Sequence, residues 1–182
     1  ITGYMPEESA IYDDMKVYDY LLFFAELYKI KRGRAQQRIN YLLKSLDLED
    51  EGKVIGNMSK GMKRKVLIAR SLINDPKLLI YDEPASGLDP ITTDFILNYI
   101  KDLKEQGKTI IITAHNLNHI EIVSDRVIIM KKGKIILDQN LHDMKQSYGK
   151  KFIVHYYKEG SIKTARFNDS RELNSFVKSL SR

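Results

Sequence analysis

The chain has 182 residues, 43% hydrophobic and 30% charged, a balance that gives a globular domain enough apolar content for a core. It has no cysteine, which excludes disulfides, thiol catalysis and thiolate metal sites, and no run near the about 18 apolar residues of a membrane span. The net charge of +6 comes from scattered basic residues, which read as a solvated surface and not as a nucleic-acid footprint. Residue 1 is Ile and no charged-then-apolar leader follows, so the sequence is expected to begin inside a longer protein.

Ile1 to Met5 is expected to end a strand that enters a loop at Pro6-Glu7-Glu8-Ser9. Tyr20, Phe23, Phe24, Leu27 and Tyr28 recur at helical spacing and predict an amphipathic helix over Val17 to Ile30, broken by Gly33. Ile39, Leu42, Leu43 and Leu46 put an apolar face on a second helix, Ala35 to Leu46. This region, about residues 9–72, reads as a helical subdomain with the aromatic stripe as its core. A third helix is expected over Ser59 to Ile73, with Ser59 as N-cap and Gly61 just inside. A helix start offers free N–H groups and the positive end of the dipole, which suits phosphate. Gly61, lacking a side chain, lets that backbone come close to a ligand.

Lys77 to Tyr81 is an almost continuous apolar run, predicted to be a parallel strand buried on both faces. Asp82-Glu83-Pro84 follows at its C-terminal end, where open α/β sheets place ligands. Adjacent strand residues point to opposite sides, so the two carboxylates are expected to divide the work. One holds a metal and the other meets a reacting water. From these residues alone, the alternative is that the pair caps the next helix. A helix then spans Pro90 to Gln106 and stops at Gly107. Thr109 to Thr113 predicts a second buried strand, with His115 shortly after it. Strand, helix and strand make a right-handed crossover, which brings Asp82, Glu83 and His115 to one sheet edge. There His115 is a candidate phosphate sensor.

A short helix, Leu117 to Val123, leads to a hairpin of Arg126 to Met130 and Lys134 to Leu137, turned at Lys131-Lys132-Gly133. Past Leu141 come a polar helix to Tyr148-Gly149, a strand over Phe152 to Tyr157, a turn at Glu159-Gly160 and a final helix over Glu172 to Leu180. Residues 141–182 read as an α+β appendage without chemistry, and 1–140 as the functional domain.

Carboxylates with a metal role are normally matched by a Gly-x-x-x-x-Gly-Lys-Ser/Thr phosphate cradle. Gly107-Lys108-Thr109 imitates its end, but position 102 is Asp, and the triplet leaves a helix to enter a strand, the reverse of a phosphate loop. No other stretch qualifies, so either a cradle lies upstream of residue 1 or the protein binds no nucleotide in the usual way.

In this order the motifs resemble the second part of an ATP-binding cassette (ABC) transporter ATPase domain. Gly3-Tyr4-Met5-Pro6-Glu7 is similar to the Q-loop and Asn57-Met58-Ser59-Lys60-Gly61-Met62 to the signature. Lys77 to Pro84 is similar to the Walker B strand, Ser86-Gly87-Leu88-Asp89 to the D-loop and Thr113-Ala114-His115 to the H-loop. The resemblance implies an α/β P-loop NTPase (RecA-like) fold with a mainly parallel sheet, and it implies ATP and Mg²⁺ as ligands. By position, Asp82 and Glu7 support Mg²⁺, Glu83 is general base and His115 contacts the γ-phosphate. Ser59, Lys60, Gly61 and Met62 face the ATP of a second subunit in a head-to-tail dimer, and Asp89 organises that contact. A transmembrane permease subunit is the further partner, docked around Tyr12 to Phe24, which implies a cytoplasmic protein peripheral on the inner face of the cell membrane. Glu7 in place of Gln, Lys60 in place of the first signature Gly and Met62 in place of its Gln resemble exporter ATPases. Without Walker A, this stretch alone is expected to be inactive. The alternatives are a soluble ABC ATPase acting on nucleic acid or ribosomes, and a non-catalytic dimerising fragment.

Overall fold

The computed structural model describes residues 2–8, 11–48, 52–148, 152–158, 161–167, 176 and 179. Its contacts divide the chain into two units, Ile1–Val123 and Ser124–Arg182.

The first unit is built on three parallel strands, β1 (Thr2–Met5), β2 (Leu78–Asp82) and β3 (Thr109–Thr113), in the order β1-β2-β3. Between β1 and β2 run three helices, α1 (Val17–Leu27), α2 (Arg32–Ser45) and α3 (Lys60–Leu72). Between β2 and β3 runs α4 (Pro90–Glu105), and α5 (Leu117–Val123) follows β3. The apolar faces read from the sequence meet in one core, with Tyr20, Leu21, Ile39, Leu42, Ile68, Leu79, Tyr81 and Ile100 buried.

The α3–sheet contact is close. A Cβ on Gly3 of β1 would collide with the carbonyl oxygen of Ser71 in α3. Ser71 donates its hydroxyl proton to the Ile68 carbonyl (2.7 Å), so the Tyr81 hydroxyl, 2.9 Å away, is the donor to Ser71 Oγ. Burial pushes the Tyr81 phenol well above its ordinary pKa. A polar pair is thereby satisfied inside the core at the centre of β2.

Two expectations are corrected. Gly33 does not break the first helix; it lies inside α2. The break is at Lys29, with φ +56°, where Lys29 N–H donates to Glu26 O (2.8 Å) and Ile30 N–H to Ala25 O (3.0 Å). That is a Schellman closure with lysine in the position glycine usually takes. The second correction concerns β3, which was expected to be buried. It is an edge strand among the described residues, with Ile111 53% exposed and Ile110 and Ile112 half-buried. The core covers one face and the strand's outer flank is open.

The second unit contains a hairpin of β4 (Arg126–Lys131) and β5 (Lys134–Asn140), turned at Lys132 and Gly133, both at positive φ. Arg126 clamps Asp138 across it through Nε (2.6 Å) and Nη2 (2.8 Å). Helix α6 (Leu141–Tyr148) and a second hairpin, β6 (Phe152–Lys158) with β7 (Ser161–Phe167), also belong to it. The turn expected at Glu159-Gly160 lies outside the described residues, as does the final helix expected over Glu172 to Leu180 apart from Phe176 and Ser179, which are helical.

Candidate active site

The parallel crossover brings the C-terminal ends of β2 and β3 level, with Asp82 paired to Thr113. Thr113 Oγ1 donates to Asp82 Oδ1 and accepts from the backbone N–H of Glu83 (3.1 Å). The same N–H also reaches the Thr113 carbonyl (3.2 Å), carrying the ladder one residue past the strand. His115 Nδ1 hydrogen-bonds Glu83 Oε1 at 2.9 Å. The Glu83 side chain is 17% exposed and that of His115 is 75% exposed. Asp82, Glu83 and His115 thus share one edge, with the Thr113 hydroxyl joining the Asp82 carboxylate to the Glu83 backbone N–H.

The reason they diverge is not the one the strand period offers. Glu83 is no longer a strand residue: its φ is +49°, in the left-handed region. That turn swings its carboxylate to His115 while Asp82 stays against Thr113. The chain then loops through Ser86 and Gly87 to α4, whose start faces the start of α3. The two helix starts are capped alike. Ser59 Oγ accepts from Met62 N–H (3.2 Å) and Asp89 Oδ1 from Thr92 N–H (2.9 Å). The Thr92 contact holds the Asp89 carboxyl below its ordinary pKa.

The expected signature residues separate. Ser59 and Lys60 are exposed, while Met62 is half-buried against the core. Gly61 is buried, and a Cβ there would lie 2.7 Å from Thr92 Cγ2. Its missing side chain lets α3 and α4 meet within the chain. The Lys60 amine reaches over Gly87, occupying the space a Cβ at Gly87 would take. Glu7 is exposed, and its carbonyl accepts from Arg64 Nη1 at 3.0 Å. Arg64 is only 6% exposed, and burial lowers its pKa against the opposing pull of Glu7. The sequence reading missed Thr113, Thr92 and Arg64. The available signal for Thr113 was a hydroxyl residue closing an all-isoleucine run in register with Asp82.

A cavity of about 460 Å³ lies beside this edge, lined in part by Ser86, Gly87, Asp94, His115 and His119. His119 accepts at Nε2 from the Asn116 amide (3.3 Å). Among the described residues no three His, Asp or Glu side chains converge as a self-sufficient metal site. Mg²⁺ does not need one, since it takes one or two carboxylates and completes its shell with water and phosphate oxygens. Asp82 fits that part, because Thr113 occupies only one of its oxygens.

The chain is similar to known proteins along most of its length. The sequence model of a family described as ABC transporter matches residues 2–86. An uncharacterised ABC transporter ATP-binding protein of Methanocaldococcus jannaschii, MJ1023, is 41% identical over 143 residues, 78% of this chain and 55% of that protein. The linearmycin resistance ATP-binding protein LnrL of Bacillus subtilis is 36% identical over 135 residues, 74% of this chain and 43% of that protein. The chain therefore spans about half the length of these curated relatives. A solved ATP-binding subunit of an ABC transporter superposes with a TM-score of 0.70 at 29% identity, covering 81% of this chain and 62% of that one. No helix of the described residues is long and apolar enough to cross a membrane. With the parallel sheet, the acidic strand end and the capped α3 all in the family's order, the chain belongs to the ABC transporter ATP-binding proteins.

Proposed function

We propose that the whole protein is the ATP-hydrolysing subunit of an ABC transporter, and that residues 1 to about 140 contribute the acid–base and partner-facing part of its ATPase domain. The observation that carries this is the convergence of Asp82, Glu83 and His115 on one edge. Asp82, with Glu7 as its expected companion, would hold Mg²⁺. Held there, the ion would supply charge neutralisation to the phosphate groups. Glu83 takes the proton of the attacking water. His115 steadies Glu83 through Nδ1, which leaves Nε2 to meet the γ-phosphate of ATP.

The α3 start serves the neighbouring molecule. Ser59 Oγ accepts from Met62 N–H and keeps its own proton to donate to a phosphate. Ser59, Lys60, Gly61 and Met62 would face the ATP of a second ATPase subunit, head to tail, with Asp89 ordering the contact. The open flank of β3 is where a preceding strand with the glycine-rich cradle would add. Without it, this chain turns over no ATP.

A permease subunit would dock on the helical region. There Tyr12 is 52% and Phe23 39% exposed, and their rings meet edge to face at 6.0 Å. Asp13 is tied to Lys63 (2.8 Å), so Asp14 is the cleaner charge to reverse, and Asp14→Lys should weaken permease binding. The protein would work on the cytoplasmic side, peripheral to the membrane, with no nucleic-acid partner. An export direction fits the departures at Glu7, Lys60 and Met62, and the resistance protein among the relatives. The central test is Glu83→Gln in the full-length protein. It should abolish turnover, retain ATP and trap a dimer, whereas continued hydrolysis removes Glu83 from the role of base.

A further inference from the structure

The Thr113 hydroxyl touches both halves of the acidic pair. It donates to Asp82 Oδ1 and accepts from Glu83 N–H. The two bonds are unequal in consequence. Glu83 N–H has a second acceptor in the Thr113 carbonyl, so it loses no pairing if the hydroxyl is removed. Asp82 Oδ1 has no other donor among the described residues. A carboxylate that offers one oxygen to a metal needs its remaining rotation fixed, and a hydrogen bond to the other oxygen does that. A hydroxyl is suited to the task because it can accept from the turn and donate to the carboxylate at once.

We propose that Thr113 is a positioning residue that orients the Asp82 carboxylate for Mg²⁺. The inference rests on the ATPase reading above and deepens it. It separates Thr113 from His115 only two residues on: His115 acts on the Glu83 side of the site, and Thr113 acts on the metal side. Valine has the shape of threonine and a strong strand preference, and position 113 is exposed, so Thr113→Val removes the hydroxyl and keeps the strand.

The test uses the full-length protein and two readouts. The first is Mn²⁺ affinity in the presence of a non-hydrolysable ATP analogue, measured by electron paramagnetic resonance. The second is the Mg²⁺ concentration that half-saturates turnover. Thr113→Val should weaken both by about ten- to a hundredfold, the usual cost of losing a partner behind a metal ligand. It should leave metal-free nucleotide binding and the melting temperature unchanged, and Thr113→Ser should restore the metal readouts. Unchanged Mn²⁺ affinity in Thr113→Val overturns the proposal, and so does a serine variant as defective as valine. The Mn²⁺ titration does not depend on Glu83. If Glu83→Gln still hydrolyses ATP, the base assignment falls while the titration still decides the role of Thr113.

Discussion

Glu83 holds a backbone conformation that side chains other than glycine adopt at a cost of roughly 1 kcal/mol or more. Its place in the site requires that cost, since the left-handed turn delivers its carboxylate to His115. Glu83→Ala keeps the strained φ and Glu83→Gly relieves it. Both should be inactive, yet the glycine variant should unfold at higher denaturant, by about 1 kcal/mol. Equal midpoints would mean that the turn stores no strain. Gly3 poses the opposite case, for there no side chain fits at all. Gly3→Ala must push Ser71 away from β1, and about 1–3 kcal/mol of stability should be lost in thermal or denaturant melts. At this scale the sequence was legible in identity more than in cause. Asp82, Glu83 and His115 were found together as the motif order implied, but through a left-handed turn that no residue type announces. Gly61 was read as room for a ligand, and Thr92 also lies where its side chain would go. A glycine advertises close approach without naming what approaches.

Among the elements, α1, α2 and α4 end in the same closure, with Lys29, Asp47 and Gly107 at positive φ and the following residue bonded five back. Only the third uses glycine, which is why the end of α1 was misplaced onto Gly33. The apolar period found the helices themselves because it reports which face is buried. It cannot report a terminus closed by backbone geometry that lysine and aspartate also tolerate. The loop before β2 carries a pH-sensitive tie. Asp75 accepts from Lys108 (2.5 Å) and Arg38 (3.2 Å), and the Lys108 bond first, with the Arg38 charge, holds its carboxyl below the ordinary value. A depressed folded pKa stabilises above the unfolded value, and that contribution disappears as pH falls through the folded one. Asp75→Asn should therefore be less stable than the parent near neutrality, by no more than about 1 kcal/mol given its exposure. The two melting curves should converge in acid, below about pH 4. A gap that persists there would assign the loss to packing and not to charge.

For the molecule as a whole, the decisive feature is the flank of β3. The all-isoleucine run was read as a buried strand, and full burial needs a neighbour on each side. Among the described residues only β2 supplies one. Thr109 N–H points to β2, bonding the Lys77 carbonyl at 2.9 Å. By the strand's period of two, the amides of Ile110 and Ile112 face outward. In this chain alone those two should exchange hydrogen quickly while Ile111 is protected. In a longer protein all three should be slow if a further strand adds there. Until something lies along it, that row of unsatisfied amides and carbonyls beside a bare isoleucine is adhesive. Preparations of the isolated piece should self-associate as concentration rises, and one lysine at position 111 should keep them dispersed.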